Sequence, residues 1–128
     1  MRFPFPLLPG EFELPDEWLA EFGLTTSMFP LAFKISYSGT TISIPLAIIE
    51  PPWRGKEFPS DWRGFNKERM KNIFNGIILN AYMVPVQVME LPYFDYPPNP
   101  FKYRVYDGFH RFYAAIAFGL KDLPVIVC

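Results

Sequence analysis

Cysteine is all but missing: the single one, Cys128, has no intrachain partner and stands at a chain end, where order tends to fray. No disulfide can therefore staple the fold, and the usage predicts a reducing, cytoplasmic setting. Excess charge is missing too. A formal net charge of -1 excludes a global field that would draw the whole protein to a nucleic-acid backbone or an anionic membrane, so any anion binding must come from a local site. No apolar run approaches the roughly 18 residues a membrane span needs, which predicts no membrane partner. Nor is there an uninterrupted apolar segment at the start: Pro4, Pro6 and Pro9 break residues 1–9, and no export signal is expected.

What is present is apolar and aromatic. Half of the 128 residues are hydrophobic, enough for one domain with a continuous core and no internal boundary. The 15 prolines alternate with Phe, Trp, Tyr and Leu rather than with Ser and Gln, which favours ordered loops over disorder. Up to Pro30 five Asp and Glu face only Arg2, a net of -4, read as a solvated helix face.

Residues 1–12 predict an extended arm that packs its aromatics. Pro15-Asp16-Glu17 suits a helix start, Trp18, Leu19 and Phe22 share a face, and Gly23 stops the helix. Alternation over residues 31–37, a turn at Ser38-Gly39 and the run 41–44 predict a β-hairpin, and residues 44–49 continue as an apolar strand to Glu50-Pro51-Pro52. A long basic loop follows with Trp53, Arg54, Gly55, Lys56, Trp62 and Arg63. Asn66 then caps a helix whose Met70, Ile73, Phe74, Ile77 and Ile78 form one stripe. A strand over 84–91, a proline-rich connection over 92–100, a strand over 102–106, a helix after Gly108 ended by Gly119, and a last strand over 124–127 complete an α+β, α/β-like layered domain.

Chemistry concentrates at Asp107-Gly108-Phe109-His110-Arg111. The chain there leaves a strand and enters a helix, glycine permits a backbone conformation or approach that a side chain would block, and the first helical amides point outward at the positive end of the dipole. His110 and Arg111 add donors at that end, which calls for an anion. A second reading fits the same residues: Arg111 pairs with Asp107 four positions earlier, and His110 caps a neighbouring carbonyl. Six of the twelve Lys and Arg lie between Arg54 and Lys71 among Trp53, Phe58, Trp62 and Phe65. Such a stretch can bind a nucleotide or single strand, or it can pack its tryptophans and turn its charges to water.

The run 106–115, followed by Gly119 and Leu123-Pro124-Val125-Ile126-Val127, resembles the signature region of the ParB/sulfiredoxin superfamily: a Gly-x-(His/Arg)-Arg turn, a helix with paired alanines and a proline-led closing strand. Residues 44–52, 70–78 and 84–88 are similar to that family's first strand and loop, its helix and its next strand. The resemblance spans roughly residues 42–127. It implies a mixed sheet with packed helices over 41–128, with residues 1–40 an added arm, short helix and first strand laid against it. It also implies nucleotide phosphate, from ATP or CTP, at Gly108, Phe109, His110 and Arg111, with Arg54 assisting and Mg2+ bridging the phosphates.

Departures from the pattern narrow the expectation. Sulfiredoxin carries a catalytic cysteine immediately before the His-Arg pair, where this chain has Phe109, so sulfinic-acid reduction is not expected. The partitioning proteins have Glu-Arg-Arg after the glycine and further DNA-binding and dimerisation domains, so sequence-specific DNA partitioning is not expected; Glu57, Asp61 and Glu68 offset the local basic stretch, so nucleic-acid binding is expected to be weak or absent. A kinase branch uses an acidic base, a role open here to Glu50 or Asp107, although Glu50 can equally be a solvated strand end and Asp107 a turn or helix cap. The leading expectation is a stand-alone, ParB-like bacterial domain that binds a nucleotide, with phosphotransfer or hydrolysis. The alternatives are a non-catalytic accessory module with a protein partner, or a ParB-like nuclease.

Overall fold

The computed structural model describes residues 1–6, 10–23, 34–52, 61–91 and 101–128. The basic loop around Arg54 and the proline-rich connection over 92–100 lie outside these residues. Nine strands and three α-helices occur among the described residues: β1 (Arg2–Pro4), β2 (Glu11–Glu13), α1 (Asp16–Phe22), β3 (Lys34–Ile35), β4 (Ile42–Pro45), β5 (Ile49–Glu50), α2 (Lys67–Ile78), β6 (Tyr82–Met83), β7 (Val86–Glu90), β8 (Tyr103–Asp107), α3 (Phe109–Ala117) and β9 (Asp122–Val127).

The principal sheet has five strands in the order β4-β9-β7-β8-β5. It is mixed: β4 with β9 and β7 with β8 run antiparallel, whereas β7 with β9 and β5 with β8 run parallel. This is the α+β class expected from the sequence. The two edge strands β4 and β5 are nevertheless separated only by the 3-10 turn Leu46–Ile48. A flat sheet would set its outer strands about 19 Å apart, four spacings of about 4.8 Å, and a three-residue 3-10 turn rises only about 6 Å. The sheet therefore curls until its edges approach one another.

Two sequence expectations are corrected here. The predicted hairpin of 31–37 with 41–44 does not form: Lys34–Ile35 pairs in parallel with Tyr82–Met83, and β4 pairs with β9, setting Ile44 opposite Leu123, while residues 31–33 lie outside the described set. Alternation marks a strand without naming its partner, and Ile44 and Leu123 are both almost wholly buried in this pairing. The single strand expected over 44–49 is two strands. Pro45 has no N–H for a ladder, and after it Leu46 donates its N–H to the Lys121 carbonyl, so the chain turns and starts β5 at the other edge.

One apolar core joins the sheet, the helices and the N-terminal segment. Val86, Val88, Leu123 and Val125 present one sheet face, and Phe74 of α2 lies 5.1 Å from Phe118 and 5.3 Å from Phe22 of α1. Pro15 and Gly23 bound α1 as expected, with Trp18, Leu19 and Phe22 buried. In α2 the side chain of Asn66 accepts the Arg69 N–H at 3.0 Å, the predicted cap. The β1–β2 ribbon lays Phe3 and Phe12 into the same cluster, ring centroids 5.1 Å apart.

Candidate functional site

α3 starts directly at the end of β8. Between them stands Gly108 with φ +119°, a left-handed conformation that disfavours any side chain. The glycine has a second reason: a Cβ on Gly108 would lie 3.0 Å from both γ-methyls of Val86. The close approach that the sequence suggested is thus made by a neighbouring strand. At the N-terminal end of α3, Gly108 precedes the helix and has no side chain to cap it.

That end borders a cleft of about 240 Å³. Asp107, Gly108, Phe109, His110 and Arg111 form one wall, and Arg69, Asn72 and Ile73 of α2 form the other. The structure therefore brings together five of the seven residues singled out from the sequence. Glu50 does not line this cleft; its carboxylate meets Arg104 at 3.4 Å, across the β5–β8 pairing. Arg54 lies outside the described residues.

The two basic side chains of the turn are less free than the sequence suggested. Nη1 of Arg111 donates to the carbonyls of Val84 at 2.6 Å and Pro85 at 2.9 Å, and Nη2 meets Asp107 at 3.3 Å. Its side chain is 17% exposed against 64% for Asp107. Nε2 of His110 accepts the backbone N–H of Asn66 at 2.9 Å, which requires that nitrogen to be unprotonated, and the residue is only 4% exposed. The expectation that an anion must balance a cation pair is corrected accordingly: carbonyls and Asp107 balance Arg111, and His110 acts here as an acceptor.

Arg69 is the residue the sequence did not offer. It is exposed, lines the cleft, and has no ion pair or side-chain hydrogen bond among the described residues. In the sequence it is one of several charges on a solvated helix face. Only the packing of α2 beside α3, with Asn66 bonded to His110, sets it across from the helix end.

Phe109 also lines a second, neighbouring cleft of about 280 Å³, together with Phe65, Tyr113, Glu11, Glu13 and Arg63 among others. Below it Tyr113 donates its hydroxyl to the Pro52 carbonyl, and burial pushes its phenol up to about 12. Among the described residues no group of three or more His, Cys, Asp or Glu could hold a metal ion, and no helix is long and apolar enough to cross a membrane.

No protein-family model and no curated protein matches the chain. Among solved structures it is similar to sulfiredoxin from Arabidopsis thaliana, with 19% identity and a TM-score of 0.49 over 70% of this chain and 85% of that one. It is also similar to the C-terminally truncated chromosome-partitioning protein ParB from Caulobacter crescentus complexed with CTP-gamma-S, with 26% identity and a TM-score of 0.48 over 70% of this chain. The match covers 44% of that ParB chain, less than half its length. Both are distant likenesses, and the helices on a curled mixed sheet described above are this chain's own arrangement.

Proposed function

We propose that the cleft at the start of α3 binds the phosphate groups of a nucleotide. The observation that carries this is Arg69, an exposed guanidinium that has no partner among the described residues and lines the cleft beside the Gly108 turn. Phosphate oxygens would lie at the positive end of the helix dipole, and Arg69 would close on them with its planar fork. Gly108, Phe109, His110 and Arg111 form the turn, and Asn72 adds an amide. Mg2+ arriving with the phosphates would find one carboxylate in the cleft, Asp107, and keep water on its remaining positions.

Binding is favoured over turnover by one feature. Both acids open to a catalytic role are already ion-paired, Asp107 with Arg111 and Glu50 with Arg104. Phosphotransfer would need Asp107 released toward an incoming hydroxyl or water.

Calorimetric titration with ATP, CTP and inorganic triphosphate, with and without Mg2+, tests the reading alongside a phosphate-release assay. Arg69→Ala should weaken binding by about 1.5 to 3 kcal/mol, the range for a charge-assisted hydrogen bond, with unfolding unchanged. Equal affinity in the variant, or no binding by the parent protein, would overturn it.

A further inference from the structure

We infer that His110 makes the cleft acid-sensitive: a proton on its imidazole releases the start of α2 from α3, and with it the placement of Arg69. In its effect on binding the inference rests on the phosphate reading above, as a means of regulating that site. His110 is the only histidine of the chain, and histidine is the residue whose charge ordinarily changes between about pH 5 and 8. Two hydrogen bonds in series join it to Arg69. Nε2 accepts the Asn66 N–H at 2.9 Å, and the Asn66 side chain accepts the Arg69 N–H at 3.0 Å. One residue, Asn66, therefore stands between the imidazole and the guanidinium that lines the cleft.

A backbone N–H can only donate, so the first of these bonds exists only while Nε2 keeps its lone pair. A proton there sets two donors against each other, and one of them must withdraw. The imidazole is almost wholly buried, with the rings of Phe65 and Phe109 at 6.0 and 5.2 Å between centroids, whereas Asn66 is half-buried and freer to give way. When Asn66 moves, the cap of α2 moves, and the Arg69 N–H that the cap holds moves with it. The charged groups nearby do not replace the bond. Asp107 and Arg111, on the same wall as His110, pair with each other, Lys67 pairs with Glu21 of α1, Asp61 accepts the Lys67 N–H at 2.7 Å, and Tyr113 gives its hydroxyl to Pro52. Arg69 has the same sign as an imidazolium and is repelled by it. The added proton also sits on the nitrogen that faces Asn66, so it meets an amide rather than an oxygen of the ligand. Acid therefore weakens anion binding even though it adds positive charge.

The test follows the ring signals of the single histidine and the amide signals of Asn66 and Arg69 by NMR from about pH 8 to about pH 4.5, across the range in which histidine titrates. It is run on the full chain and on H110Q, whose amide oxygen can accept the same N–H and does not titrate. Both amides should shift with the midpoint of the ring in the parent protein and stay in place in H110Q. Calorimetric titration with ATP and inorganic triphosphate on either side of that midpoint should show the parent losing affinity by about fivefold or more relative to H110Q, the equivalent of one hydrogen bond. The comparison removes the effect of the ligand's own protonation. A ring that titrates while the two amides stay put, a ring that stays neutral until the chain unfolds, or an equal pH course of affinity in the two proteins overturns the inference. Urea unfolding checks that H110Q folds, and if it does not, the two amides of the parent decide. If neither ligand binds at either pH, the phosphate reading falls, and the amides alone decide whether acid releases the helix.

Discussion

The backbone N–H of Asn66 donates to Nε2 of His110 at 2.9 Å, so the residue that caps α2 is tied to the first turn of α3. The bond sets the two walls of the cleft relative to one another. His110→Ala would leave that N–H without its partner and a hole beside Phe65, whose ring lies 6.0 Å from the imidazole. A loss of about 2 to 4 kcal/mol is expected by urea unfolding, combining a part-buried unsatisfied donor with the cavity. A change below about 0.5 kcal/mol would mean the bond does not hold the helices together.

Gly108→Ala should destabilise by about 1 to 3 kcal/mol, because the backbone conformation and the contact with Val86 both oppose a side chain. The two causes can be separated. Val86→Ala in the same chain removes the methyls but not the φ requirement, so it should relieve only part of the cost in a double-mutant cycle. Complete additivity of the two single losses would show that the Val86 contact is not the obstacle.

Arg111→Ala is expected to cost stability as well as any ligand affinity. Its bonds to the Val84 and Pro85 carbonyls clasp the start of β7 to α3, and about 1.5 to 3 kcal/mol is the range for hydrogen bonds to a charged group. Arg111→Lys should recover little, since an ammonium lacks the fork that reaches both carbonyls and Asp107. Thermal unfolding compared with that of Arg69→Ala makes the contrast: the Arg111 change lowers the midpoint and the Arg69 change does not.

Alkaline stability should depend on Tyr113. Burial raises its phenol from 10.0 to about 12, so the folded protein holds that proton more tightly than the unfolded chain does. The contribution is complete below about pH 10 and is lost as pH rises from 10 toward 12, by up to about 1.4 kcal/mol per pH unit. Tyr113→Phe should be less stable at neutral pH by about 1 kcal/mol, for the lost bond to Pro52, yet decline less steeply above pH 10. Parallel curves for the two proteins across that interval would rule the account out.

How much of this was legible in the sequence follows from the range of each interaction. The Asn66 cap, the stripe of Met70, Phe74 and Ile77, and the strand-to-helix turn at Gly108 depend on residues a few positions apart, and the structure has them where periodicity put them. The partner of β4 could not be read, because Ile44 meets Leu123 across 79 positions of chain and alternation is silent about which strand lies opposite. Arg111 was legible as an ion pair with Asp107, four residues away, but not as a ligand of the Val84 and Pro85 carbonyls, which depends on how β7 approaches the turn. Arg69 carried no local signal, since its relation to α3 exists only after α2 has docked.

The position of β9 bears on how the chain comes to be folded at all. The last strand in sequence is the second in the sheet, inserted between β4 and β7. Until it emerges during synthesis, β4 and β7 each expose a row of unsatisfied amides and carbonyls, and the nascent chain is open to wrong pairing with its neighbours. Assembly of the sheet therefore waits for β9, and its decisive contacts join distant parts of the chain, which slows it. A ribosome that stalls before Asp122 leaves a product without the strand that joins the two halves of its sheet, and quality-control proteases would meet it as an unfolded substrate.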